Sequence, residues 1–162
     1  MIELPSWLPP IVCLEDAGGI FEQYIENVYK LFFDDFVAHR PNFRGLPVII
    51  KRDLIEGKER GFWHLTQEGS IEVARTPDIR RCERIGWIRA MIENAESDRL
   101  LIWCNLRGQG RRAKRTLIWC PDAEYLVVLE NRPGAFILWT AYPVTGKHRK
   151  EKLLEEYSRW TE

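Results

Sequence analysis

The chain has 162 residues, 45% of them hydrophobic and 30% charged, with equal numbers of basic and acidic side chains. That composition is ordinary for a soluble globular protein, and the length fits one domain with its own core. No run approaches the roughly 20 apolar residues of a membrane span, no basic leader precedes a long apolar run, and Cys13, Cys82, Cys104 and Cys120 have no zinc-site spacing. The expectation is a cytoplasmic protein with free thiols and no membrane association. Charge is unevenly spread: residues 1–40 carry seven acids against two bases, so the rest of the chain is net basic.

In chain order, Pro5, Pro9 and Pro10 predict an extended arm. An acidic helix is expected within 15–40, with Ile20, Tyr24, Val28, Leu31, Phe32 and Phe36 on its apolar stripe, ended by Pro41. PNFRGLP reads as a loop and VIIK as a short strand from Val48 that ends in Lys51. FWHLT, Phe62–Thr66, has the aromatic and β-branched content of a strand. Asp78 is a good N-cap for a helix from Ile79 to about Ala95, with Ile85, Ile88 and Ile92 on one face and Gly86 allowing close packing. Four strand-like runs follow, LLIWC, LIWC, YLVVLE and AFILWTAY, joined by short connections that imply an antiparallel meander. A charged helix over 147–160 closes the pattern, with Leu153, Leu154 and Tyr157 facing inward. The fold class is α+β: N-terminal helices with a C-terminal antiparallel β-meander, in a single domain over 1–162.

Four features carry candidate chemistry. His64 is the natural proton carrier at neutral pH, although a histidine in a strand is more often structural. Thr66, two residues on, is placed to hold the ring or touch a ligand. Thr140 and Tyr142, in WTAYP, alternate so as to share a face, where two hydroxyls suit a phosphate. The loop RGQGRRAKR holds Arg107, Arg111, Arg112, Lys114 and Arg115 and no acid, which suits an RNA backbone as well as a solvated turn. Lys51 with Arg52, and Arg81 with Arg84 one helical turn apart, add further phosphate-binding cations or plain surface pairs. No carboxylate cluster and no nucleotide-binding glycine motif appears, so neither a metal nor a cofactor is expected.

A proton carrier, paired hydroxyls and many cations are the groups that cleave RNA without metal. The order of elements — a strand ending in Lys, FWHLT, a helix of form R-x-E-R-I-x-W-I, then a meander finishing in T-x-Y — resembles the Barnase–EndoU–colicin–RelE (BECR) superfamily of RNases, and its phage-associated branch in particular. The resemblance covers about residues 47–143, leaving the helices at 15–40 and 147–160 outside. It implies a BECR/RelE-like fold and a metal-independent endoribonuclease of tRNA or mRNA, giving a 2′,3′-cyclic phosphate. His64 would be the catalytic histidine, Lys51 or the Arg81/Arg84 face the phosphate clamp, and Thr140 and Tyr142 part of the same pocket. Arg52, Thr66, Arg107, Arg111, Arg112, Lys114 and Arg115 would hold flanking RNA. It further implies a toxin-like role with an inhibitor or immunity protein as partner. The chain departs from that pattern in its neutral net charge and in lacking a convincing second catalytic histidine; His148, in TGKHRK, is the remaining candidate or a surface residue. The rival reading is a nucleic-acid-binding or protein-interaction module of the same fold without catalysis.

Overall fold

The computed structural model describes residues 2–68, 76–107 and 113–161. Arg111 and Arg112 of the basic loop lie outside the described residues, as does the side chain of Arg107. The N-terminal arm is extended and is tied down by Val12 N–H donating to Glu83 O at 2.8 Å and Trp87 Nε1 donating to Pro9 O at 2.8 Å. Helix α1 (Phe21–Phe32) runs on through a wider π-helical turn at Phe33–Ala38. Tyr24, Val28, Phe32 and Phe36 of the expected stripe are buried, whereas Ile20 and Leu31 are exposed. PNFRGLP is more than a loop: strands β1 (Asn42–Phe43) and β2 (Leu46–Ile49) form a hairpin across Arg44 and Gly45, both at positive φ.

A small hairpin, β3 (Leu54–Ile55) and β4 (Lys58–Glu59), leads into helix α2 (Arg60–Thr66). FWHLT is therefore helical and not a strand. The physical reason is burial: Phe62, Leu65 and Thr66, spaced i, i+3, i+4, all turn into the core. Five residues are too few for composition to separate that period from a strand's. Strands β5 (Gln67–Glu68) and β6 (Thr76–Pro77) pair briefly before Asp78, whose carboxylate accepts from the backbone N–H of Arg80 and Arg81 as the N-cap of α3 (Ile79–Glu83). The expected long helix breaks at Arg84 and resumes as α4 (Ile85–Glu93), with Ile85, Ile88 and Ile92 buried. A Cβ on Gly86 would stand 3.3 Å from Pro9 Cγ, so its bare backbone does serve close packing against the arm.

The meander follows as β7 (Leu101–Arg107), β8 (Ala113–Cys120), β9 (Tyr125–Arg132) and β10 (Ala135–Pro143), each antiparallel to the next. The two IWC tripeptides face one another, with Ile102 opposite Ile118. Strand β2 joins the far side of β10 in parallel, giving the six-stranded order β1-β2-β10-β9-β8-β7. One sheet face packs on α1, α2 and α4 through Ile118, Val127, Leu129 and Leu138. The other presents Trp103, Leu117, Trp119, Leu126 and Val128, partly covered by Leu153 and Tyr157 of helix α5 (Lys147–Thr161). Leu154 does not face inward as expected: it is 50% exposed. The helix has one inward line, set by Leu153 and Tyr157 four residues apart, and Leu154 falls beside it. All four cysteines are free thiols, and no described helix is long and apolar enough to cross a membrane.

Candidate functional site

Strand β2 pairs with β10 only through Phe136 and Ile137. Beyond that point the edge of β10 is bordered by α2 and α3 instead of a strand, and side chains from several separate stretches converge there. Two local devices place them. The first is Gly61. Its N–H donates to Lys51 O at 3.0 Å, and Arg60 N–H donates to Asp53 O at 2.7 Å, so residues 51–53 lie across the start of α2. A Cβ at Gly61 would stand 3.3 Å from the Lys51 N and O atoms, an approach that only glycine makes without strain. With Phe62 and Leu65 turned into the core, His64 faces the other way, and Lys51 Nζ lies 3.1 Å from His64 Nδ1. An ammonium has donors only, so Lys51 donates to the Nδ1 lone pair and the ring proton sits on Nε2.

The second device is a β-bulge. Leu138 pairs with Leu129 and Thr140 with Val128, which leaves Trp139 as the extra residue of β10. The bulge breaks the two-residue alternation, so the neighbours Trp139 and Thr140 reach the same side, together with Tyr142. Lys51 Nζ lies 3.7 Å from the Trp139 ring centroid and the Arg115 guanidinium carbon 4.1 Å from it. One indole thus gathers two cations, each attracted by its π-face. The Arg81 guanidinium carbon lies 5.4 Å from the Tyr142 ring, and the Tyr142 hydroxyl oxygen accepts from Arg149 Nη2 at 2.9 Å.

Arg81 is also structural. It donates to Gln67 O at 3.2 Å at the C-terminal end of α2, and its Nε stands 3.4 Å from Asp78 Oδ2. Behind it, Tyr125 is fully buried, and burial pushes its phenol well above the ordinary range against the pull of Arg81 and Arg84. Glu130, 6% exposed, is held between Arg115 at 3.5 Å and Arg132. Among the described residues, the cations Lys51, Arg81, Arg115, Arg132 and Arg149 stand here with the carboxylates of Asp53, Asp78 and Glu130. Cations so placed can attract an oxyanion to the side of the imidazole.

No family model, curated protein or solved structure matches this chain.

His64, Lys51, Arg81, Arg115, Thr140 and Tyr142 of the expected set are thus brought together. Arg84 is not: its guanidinium turns to Glu83 at 3.1 Å, to Arg80 O at 3.1 Å and over Trp87. Thr66 is buried, and its hydroxyl donates to Phe62 O at 2.9 Å inside the helix, so its proton is not directed to the His64 ring. That follows from α2 being helical, since an i−4 carbonyl is then in reach. Arg52 and Lys114 are exposed, as is His148 in the first turn of α5. Among the described residues, no group of three or more His, Cys, Asp or Glu side chains could hold a metal ion. Sequence reasoning missed Trp139, Arg149 and Glu130. A tryptophan beside TAY was the one available signal for the first; a bulge leaves none.

Proposed function

We propose that this cluster binds the scissile phosphodiester of RNA and that the protein is a metal-independent endoribonuclease with a BECR/RelE-like fold. The observation that carries the reading is the 3.1 Å contact of Lys51 Nζ with His64 Nδ1, set among further cations and beside an aromatic platform. A phosphate entering the site competes for the Lys51 ammonium. As Lys51 turns to the phosphate oxygens, Nδ1 takes the proton of the 2′-hydroxyl. The 2′-oxygen then bonds to phosphorus as the bond to the 5′-oxygen breaks, and the 5′-oxygen leaves with a proton from solvent. Lys51 and Arg81 offset the charge that builds on the phosphoryl oxygens, and Tyr142 orients them. The product ends are a 2′,3′-cyclic phosphate and a 5′-hydroxyl. With this reading go tRNA or mRNA as substrate in the cytoplasm, a toxin-like and phage-associated role, and an inhibitor or immunity protein as partner.

The test is incubation with total tRNA in EDTA, beside His64→Ala. Discrete fragments ending in cyclic phosphate, absent with the variant, are expected. Intact tRNA with the folded wild-type protein would refute catalysis. A second reading, an RNA-binding module without chemistry, is favoured by Trp139 itself, since an indole flanked by cations binds single strands without any proton carrier. It requires that His64→Ala bind RNA as the wild type does.

A further inference from the structure

Beside the Lys51–His64 pair, on the opposite side of the sheet from α1 and α4, lies a small pocket of about 130 Å³. Arg115, Leu117, Val128, Trp139, Thr140 and Tyr142 line it. Leu117 and Val128 make an apolar floor from β8 and β9, and both are buried. Trp139 and Tyr142 stand at its border, and Thr140 adds the hydroxyl between them in the chain. We propose that this pocket is the subsite for a single pyrimidine base of the RNA chain. The inference rests on reading the neighbouring cations as a phosphodiester site and adds to that reading the identity of the nucleotide at the cleavage point.

Size is the first argument. A cavity of roughly 150 Å³ takes one six-membered aromatic ring, so a pocket of this volume matches a pyrimidine and is tight for a purine. Lining is the second. An aliphatic floor with the Tyr142 ring and the Trp139 side chain at its border suits a flat heterocycle. Arg115, whose group can only donate, suits a ring carbonyl, and both pyrimidines carry one at O2. Its Nε–H is buried with no acceptor among the described residues, although Nη2 is engaged by Glu130. Thr140, which both donates and accepts, suits the N3 edge of either uracil or cytosine. Position is the third. Trp139 borders the pocket and also lies 3.7 Å from the Lys51 ammonium, so base and phosphate of one nucleotide meet across a single indole.

The experiment is calorimetric titration of the full chain at low salt with the four nucleoside 3′-monophosphates and with ribose 5-phosphate. Uridine and cytidine 3′-phosphates are expected to bind about tenfold more tightly than ribose phosphate, and the purine nucleotides to gain less than about threefold. Thr140→Val, which keeps the volume, should lower the ratio of pyrimidine nucleotide to ribose phosphate. Circular dichroism checks that the variant is folded. Equal or tighter purine binding overturns the proposal. So does an absence of any gain from the base, and if the protein nevertheless cleaves tRNA in EDTA, the phosphodiester reading survives alone. If no ligand binds and tRNA stays intact, both fall.

Discussion

Replacing Gly61 by alanine probes how the site is assembled without touching any group that reaches substrate. In an ordinary helix the change stabilises, because alanine is favoured over glycine by about 0.5–1 kcal/mol. Here the new methyl meets Ile50 Cβ, Lys51 N and Lys51 O, all at 3.3 Å. Two of those atoms are backbone, and relief requires α2 and residues 50–51 to separate by a few tenths of an ångström. The 3.0 Å bond from Gly61 N–H to Lys51 O and the 2.7 Å bond from Arg60 N–H to Asp53 O oppose that separation. Overpacking of this kind costs about 1–3 kcal/mol. It outweighs the propensity gain and leaves a net loss near 1 kcal/mol, a fall of about 2–4 °C in Tm for a chain of this length. The same separation draws Lys51 away from His64, so tRNA cleavage at 25 °C, where the variant is fully folded, should drop further than wild type does when equally destabilised by urea. Thermal unfolding by circular dichroism and cleavage of labelled tRNA read the two effects. A Gly61→Ala protein with a raised Tm would refute the reasoning, because the 3.3 Å contacts would then be slack.

Lys51→Met keeps an aliphatic stem near Trp139 and removes the ammonium; cleavage should fall about a hundredfold with the far-ultraviolet spectrum unchanged, and Lys51→Met activity near wild type would discard the pair. Arg84→Ala, in contrast, should leave cleavage within about twofold, because its guanidinium is turned to Glu83 and Trp87. Asp78→Ala removes the N-cap of α3 and the partner of Arg81, and a loss of about 1–2 kcal/mol in urea unfolding is expected. Burial raises the Asp35 carboxyl from 3.8 to about 6, with Arg89 opposing and Asp34 and Glu93 assisting. The folded state then holds that proton more tightly than the unfolded state, so this group's contribution to stability is largest below pH about 4, declines as pH rises to about 6, and is flat above. Urea midpoints across that range should decline less in Asp35→Asn than in wild type; parallel curves would remove Asp35 as the cause.

The meander was legible because four runs of β-branched and aromatic residues stood between short polar connections, and nothing in LLIWC, LIWC, YLVVLE or AFILWTAY competes with strand pairing. Asp78 announced the start of α3 because capping is a local interaction between a side chain and the N–H groups two and three residues on. FWHLT misled because its composition favours strands while its fate depends on which side chains the rest of the core admits. His64, Lys51, Arg81 and Tyr142 could be named one by one from their chemistry. That they meet, and that Arg84 does not join them, depends on the break at Arg84 and on where β2 stops pairing with β10, neither of which leaves a mark in residue type. Trp139 belongs to the site through one unpaired residue in the register of two strands, and the bulge has no signal of its own in a tract already rich in large side chains.

The parallel pairing of Ile49 with Ile137 sets a schedule for synthesis. A ribosome delivers Lys51 and His64 early, but Trp139, Thr140 and Tyr142 emerge only after the whole meander, and Arg149 later still. A domain folds as a unit, and pairing between distant segments waits until both have emerged. The nascent chain therefore carries its imidazole past the translating ribosome, among the mRNA and tRNA on which the proposed activity would fall, without the surface that would hold a phosphate against it.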